Sequence, residues 1–191
     1  SPASGHAPAE AARSSRPGEL VCADIAGPFV DSAHGGYKYA LVIVDDFTRY
    51  KWVYFLRNKS DAPEYINTFI ASFNSLLAKR FGADGAEPHV VSAIHTDNAG
   101  EFTSREFGNL LDKELMGQSN SPAYTHHANG VAERAIRSIF SLVRSNMAAG
   151  GLKPGLWTYA VRHSLDVLNR CTGPAVNDSA SSSFSTSFEL L

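Results

Sequence analysis

Cysteine is nearly missing: the 191 residues hold two, Cys22 and Cys171, in separate apolar stretches. Neither has a second cysteine two residues away or a histidine at ligand spacing, so a disulfide framework and a structural zinc site are both excluded. Both cysteines are expected to be reduced core residues. Long hydrophobic runs are missing too. Nothing approaches the roughly 18 to 20 apolar residues needed to cross a bilayer, and the Ala/Ser/Pro-rich start lacks the apolar core of a signal peptide. No membrane partner is expected, and a soluble intracellular protein is. Net charge is also small, at −2, which excludes a uniformly basic nucleic-acid binder but says nothing about local patches.

What is present suffices for one buried core, with 43% hydrophobic residues in a chain too short for two large domains. Charge is unevenly spread along it. Residues 122–171 carry six basic and two acidic side chains, whereas residues 1–121 carry 11 and 15. Residues 1–17 have almost no large apolar side chain and read as a disordered linker; 18–174 read as the folded core, and 175–191 as an irregular Ser-rich tail.

Within the core, ELVCADIAGPF, YKYALVIVDDF and KWVYFL are β-branched and aromatic runs separated by turn residues, which predicts three successive strands. Ile66, Phe69, Ile70, Phe73, Leu76 and Leu77 recur at helical spacing, so a helix is expected over 61–79 with Ser60 as its cap. HVVSAI reads as a buried strand, TSREFGNLLDKEL as a helix with Thr103 and Glu106 in capping-box register, and MGQSN as a short fifth strand. SPAYTHHANG reads as a loop. Two helices follow, over 130–149 and 154–171, and Trp157 on the second reads as a core residue. This order predicts an α/β fold, a five-stranded mixed sheet flanked by helices on both faces.

Three carboxylates stand out for where they fall. Asp24 lies inside the apolar strand LVCADIA, where an uncompensated carboxylate costs several kcal/mol, on the order quoted for incompletely paired burial. Asp97 follows the VVSAI strand, at the carboxyl end where open α/β sheets place their sites. Glu133 stands on a helix four residues before Arg137. Each has a plain structural alternative: a loop hydrogen bond for Asp24, an Asx-turn for Asp97, an exposed ion pair for Glu133. Together they supply acids from strand, strand end and helix, the arrangement a metal site for phosphoryl transfer needs. Asp45 and Asp46, after the second strand, read as turn-shaping residues.

At this point the residues resemble a family, the integrase core of retroviruses and, more closely, of copia-type retrotransposons. The resemblance rests on RPGELVCADIAGPF, YALVIVDDFTRYKWVYFL, IHTDNAGEF, NSPAYTHHANGVAERAIRSI and LWTYAVRHSLDVLNR, and 35 residues separate Asp97 from Glu133. It implies a ribonuclease H-like fold, with Asp24, Asp97 and Glu133 as catalytic residues holding two Mg²⁺ or Mn²⁺ ions. It implies that Tyr124 and Asn129 lie in a loop before the catalytic helix and that Arg137 contacts DNA. Arg144, eleven residues after Glu133 on the same helix face, extends that track.

The implied activity is DNA end processing and strand transfer, as a polynucleotidyl transferase or endonuclease. Implied partners are element-end and target DNA and further copies of the chain, acting in the nucleus after a cytosolic or particle stage. Departures are visible, among them the tail SFSTSFELL, which resembles the relatives' Thr-Pro-Tyr-Glu-Leu pattern without its proline. Ala99 stands where relatives have Gly, and Thr125 is followed by His126, His127 and Ala128 in place of a Pro and two Gln residues. No counterpart of the family's zinc domain is found in these residues. Competing readings are a ribonuclease H-fold nuclease or transposase, and a decayed or domesticated core that only binds nucleic acid or protein.

Overall fold

The run YALVIVD is apolar on both of its sides, as a strand covered on both faces must be, and it forms an interior strand of the sheet. The computed structural model describes residues 14–82, 90–96, 108, 117–118 and 122–171, with backbone alone for 117, 118 and 122–129. Its strands are β1 (Val21–Ala26), β2 (Tyr39–Asp45), β3 (Lys51–Leu56), β4 (Ala93–Thr96) and β5 (Gly117–Gln118), in the order β3-β2-β1-β4-β5. The first three pair antiparallel, while β4 runs parallel to β1 and β5 parallel to β4. The expected five-stranded sheet is thus four full strands bearing a two-residue fifth.

Alternation sorts the side chains onto two cores. Val21, Ala23, Leu41, Ile43 and Leu56 point to one face, where α1 (Ala62–Phe81) covers them with Ile66, Phe69, Ile70, Phe73 and Leu77. Leu20, Cys22, Ala40, Val42, Val44 and Phe55 point to the other. There α2 (Pro122–Ala149) packs on β1, β2 and β4, and α3 (Trp157–Arg170) packs on β3 and α2. Helices therefore lie on both faces, as the pattern predicted.

Trp157 is buried as expected. Its ring lies 4.8 Å from Phe29 and 5.3 Å edge-on from Phe55, and its indole N–H donates to the Val30 carbonyl at 2.9 Å. The buried Asn169 side chain takes the Lys51 N–H at 3.0 Å and donates to the Lys51 carbonyl at 2.9 Å. That pair ties the end of α3 to the edge strand β3, where backbone groups otherwise face water.

Several expectations shift. The helix over 61–79 begins at Ala62 with Asp61 rather than Ser60 as its N-cap, after a 3-10 turn at Lys59–Asp61 that Asn58 caps. The Asn58 N–H donates to the Asp61 carboxylate at 3.0 Å. The linker 1–17 is shortened at its far end: Ser14 and Pro17 are buried, and Arg16 donates to the Ser92 hydroxyl at 2.7 Å. Cys171 is exposed rather than core, because it follows the last turn of α3 in an extended conformation. Residues 124–129, expected in a loop, are helical within α2. Pro122 at the helix start needs no amide donor, and no proline or glycine interrupts the seven residues that follow it. The expected helix over 103–115 lies outside the described residues except at Gly108, as does the tail 175–191.

Candidate active site

Asp24 follows Cys22 by two residues on β1, and Cys22 faces α2. Strand alternation therefore turns Asp24 to the same face, while its neighbour Ile25 packs against the α1 core. Asp24 is half-buried, and its Oδ1 accepts the Ile25 N–H at 2.7 Å. That bond helps fix the carboxylate's orientation. β1 ends at Ala26 and is followed by Gly27, whose φ of +123° and whose approach to Lys38 (2.7 Å from an added Cβ to its carbonyl oxygen) exclude a side chain. The turn delivers Phe29 onto Phe140 of α2, stacked at 4.7 Å.

The parallel register between β1 and β4 reads Val21↔Ile94, Cys22↔His95 and Ala23↔Thr96. Each chain's next residue is an aspartate, Asp24 on one side and Asp97 on the other. Asp97 itself lies outside the described residues, as do the side chains of Tyr124 and Asn129. Glu133 is exposed on α2, one position after the buried pair Val131 and Ala132 and on the same sheet face as Asp24. Among the described residues no three His, Cys, Asp or Glu side chains form a cluster. Arg137 and Arg144 are exposed, and Arg144 rims an apolar groove of about 550 Å³ with Phe29, Phe140, Met147 and Trp157.

Asp45 and Asp46 behave as turn-shaping residues. Both are fully buried. Asp45 accepts the Gly18 N–H, the Thr48 N–H and the Thr48 hydroxyl, each at 2.8 Å. Asp46 accepts the Ser14 N–H at 2.9 Å and pairs with Arg49 at 2.8 Å. Burial pushes the Asp45 carboxyl above its ordinary range, against the pull of those hydrogen bonds. Gly18 sits at φ +77°, and an added Cβ would lie 2.7 Å from Leu77 Cδ1, so only glycine brings its N–H to Asp45 there.

A second concave feature was not anticipated from sequence. Arg49 and Lys51, at the β2–β3 turn, line a cleft of about 360 Å³ with Val131, Arg134 and Ser138 of α2. No spacing signal marks it, since its cations come from separate elements.

With the geometry in place, comparison with known proteins decides the family. A family profile described as "Integrase core domain" matches residues 14–126, more than half of the chain. The chain belongs to the integrase core family. The Retrovirus-related Pol polyprotein from transposon TNT 1-94 of Nicotiana tabacum is 31% identical over 152 residues, covering 80% of this chain and 11% of that protein. The integrase core here thus spans about a tenth of the length of such relatives.

Among solved structures, the HTLV-2 integrase catalytic core domain in complex with magnesium, in a trimeric form, matches with a TM-score of 0.61. Identity is 21%, and the alignment covers 93% of this chain and 99% of that one. The simian T-cell lymphotropic virus intasome in complex with a PP2A regulatory subunit matches at TM-score 0.66 and 18% identity, over 94% of this chain and 56% of that one. At such identities these matches establish the fold, an α/β architecture of the ribonuclease H-like integrase cores.

Proposed function

We propose that this integrase core cuts and joins DNA phosphodiesters, with Asp24, Asp97 and Glu133 as its metal-holding carboxylates. The observation that carries the reading is the β1–β4 register. Ala23 pairs with Thr96, so the two aspartates that continue these strands are adjacent in chain order to paired residues, and Asp24 faces the helix bearing Glu133. The donor set suits Mg²⁺ or Mn²⁺, being all carboxylate oxygen with no thiolate or imidazole required. When bound, such cations supply a lowered pKa for the attacking water or hydroxyl and charge neutralisation at the leaving oxygen.

The chain's own residues supply position. The Ile25 N–H holds the Asp24 carboxylate in one orientation, and the stack of Phe29 on Phe140 fixes the β1 exit against α2. The exposed Arg137 and Arg144 present guanidinium groups along the helix from Glu133, suited to a phosphate backbone. The magnesium complex of the HTLV-2 core and the intasome of the simian virus support a divalent cofactor, a DNA partner and an oligomer for this chain as well.

A branched strand-transfer substrate with Mn²⁺ tests the proposal. The wild-type chain should join or disintegrate it, and Asp97→Asn should lose at least about 100-fold, beyond the 10- to 100-fold typical of changes outside the ligand shell. Plain cutting without joining would favour a ribonuclease H-fold nuclease. Silence from both chains would favour a binding-only remnant, the reading that His126, His127 and Ala128, in place of the relatives' residues, support.

A further inference from the structure

The cleft beside the β2–β3 turn gathers three cations on one wall-to-wall concavity, and among the described residues no acidic side chain lines it. Arg49 is held in place from beneath. Its guanidinium pairs with the fully buried Asp46 at 2.8 Å, and its backbone sits at φ +62°, a strained conformation for an arginine. Lys51 is anchored beside it, donating to the Arg49 carbonyl at 2.8 Å. Arg134 reaches in from α2, folding back over Gly130, where an added Cβ would lie 2.9 Å from its Nη1. No ion pair of Arg134 is formed among the described residues. Ser138, one turn further along α2, adds a hydroxyl to the rim.

Three converging cations with a single paired carboxylate, that of Asp46 behind Arg49, leave an excess of positive charge that a further anion would offset. Burial first, and then the Arg49 charge, push the Lys51 ammonium below its ordinary pKa. Asp46 neutralises one of the three charges, and Asp45 is turned away into its bonds with Gly18 and Thr48. The fold has no evident use for the remaining two. A planar guanidinium, a point-like ammonium and a hydroxyl around a solvent-open hollow match a tetrahedral oxyanion with several acceptor oxygens.

We infer that this cleft, formed by Arg49, Lys51, Arg134 and Ser138, binds a phosphodiester of a nucleic-acid backbone. The inference rests on the reading that DNA is the partner, and adds a contact no carboxylate or arginine of the candidate active site provides. On α2 the cleft residues Val131, Arg134, Ala135 and Ser138 occupy the flank turned away from Glu133, Arg137 and Arg144. The stretch of backbone it takes is therefore separate from the one under attack.

Fluorescence anisotropy of a labelled duplex, titrated with the full chain at several salt concentrations, tests this. Arg134→Ala should weaken binding about tenfold, the scale of one charge-assisted hydrogen bond, and reduce the salt slope by about 1. Ser138→Glu, which leaves every cation in place, should weaken it as well. Arg80→Ala removes the same charge from exposed α1 on the opposite sheet face and should change nothing. If Arg80→Ala matches Arg134→Ala, the effect is net charge and the cleft is overturned. If both cleft variants bind like wild type while Arg137→Ala plus Arg144→Ala weakens binding, the cleft is overturned and the DNA reading stands. Absence of duplex binding by the wild type overturns both. Circular dichroism confirms that each variant remains folded.

Discussion

Asp45 and Asp46 and the pair Asp24 and Glu133 are all acids on or beside the sheet, yet they are held in opposite ways. The first two are fully buried, and backbone N–H groups, a hydroxyl and a guanidinium fill their acceptor sites. Asp24 is half-buried and Glu133 exposed on the helix above it. A buried acid surrounded by protein donors serves the fold, because the donors offset the cost of its burial. Glu133, turned to solvent, can meet something that is not protein. The same division separates the two flanks of α2, one bearing Glu133 and the other closing a cleft of cations.

Removing Asp45 should show the largest structural effect. Asp45→Ala strands the Gly18 and Thr48 amides and the Thr48 hydroxyl in a buried setting, and should cost about 2 to 4 kcal/mol in urea unfolding. Asp24→Asn should change stability by less than about 1 kcal/mol while removing strand transfer. Equal destabilisation by both would erase the contrast between them.

A smaller effect is expected at Lys51. Its folded pKa lies below the unfolded value of 10.5, so between the two the unfolded chain binds more protons, and stability rises as pH rises through that window. Below the window the half-buried ammonium is a constant penalty. Lys51→Met should therefore be at least as stable as wild type near neutral pH, with the wild type gaining on it as pH climbs toward 10.5. A variant that loses ground at neutral pH would mean that the Lys51 bond to the Arg49 carbonyl outweighs its burial.

The two-sided apolar run of β2 and the helical spacing of Ile66 to Leu77 were readable in sequence because period and burial coincide there. Asp24 was readable for the opposite reason, as a charge in a strand otherwise apolar. Asp45 and Asp46 were recognisable as turn residues, but their donors at Ser14 and Gly18 were not, since those contacts depend on how the chain returns across the sheet. Residues 124–129 misled because Asn, His and Gly near the segment suggest a loop, whereas helix extension from the long buried stripe of α2 prevails. Cys171 misled because its apolar neighbours belong to the inner face of α3, which ends one residue before it. The cationic cleft carried no linear signal at all.

Calorimetric titration of Mn²⁺ into the metal-free chain addresses the central claim most directly. Wild type should bind, and Asp24→Asn and Glu133→Gln should each weaken binding by at least about tenfold, as loss of a coordinating oxygen requires. Indistinguishable isotherms for all three proteins would contradict the account, leaving these acids without a shared cation to hold.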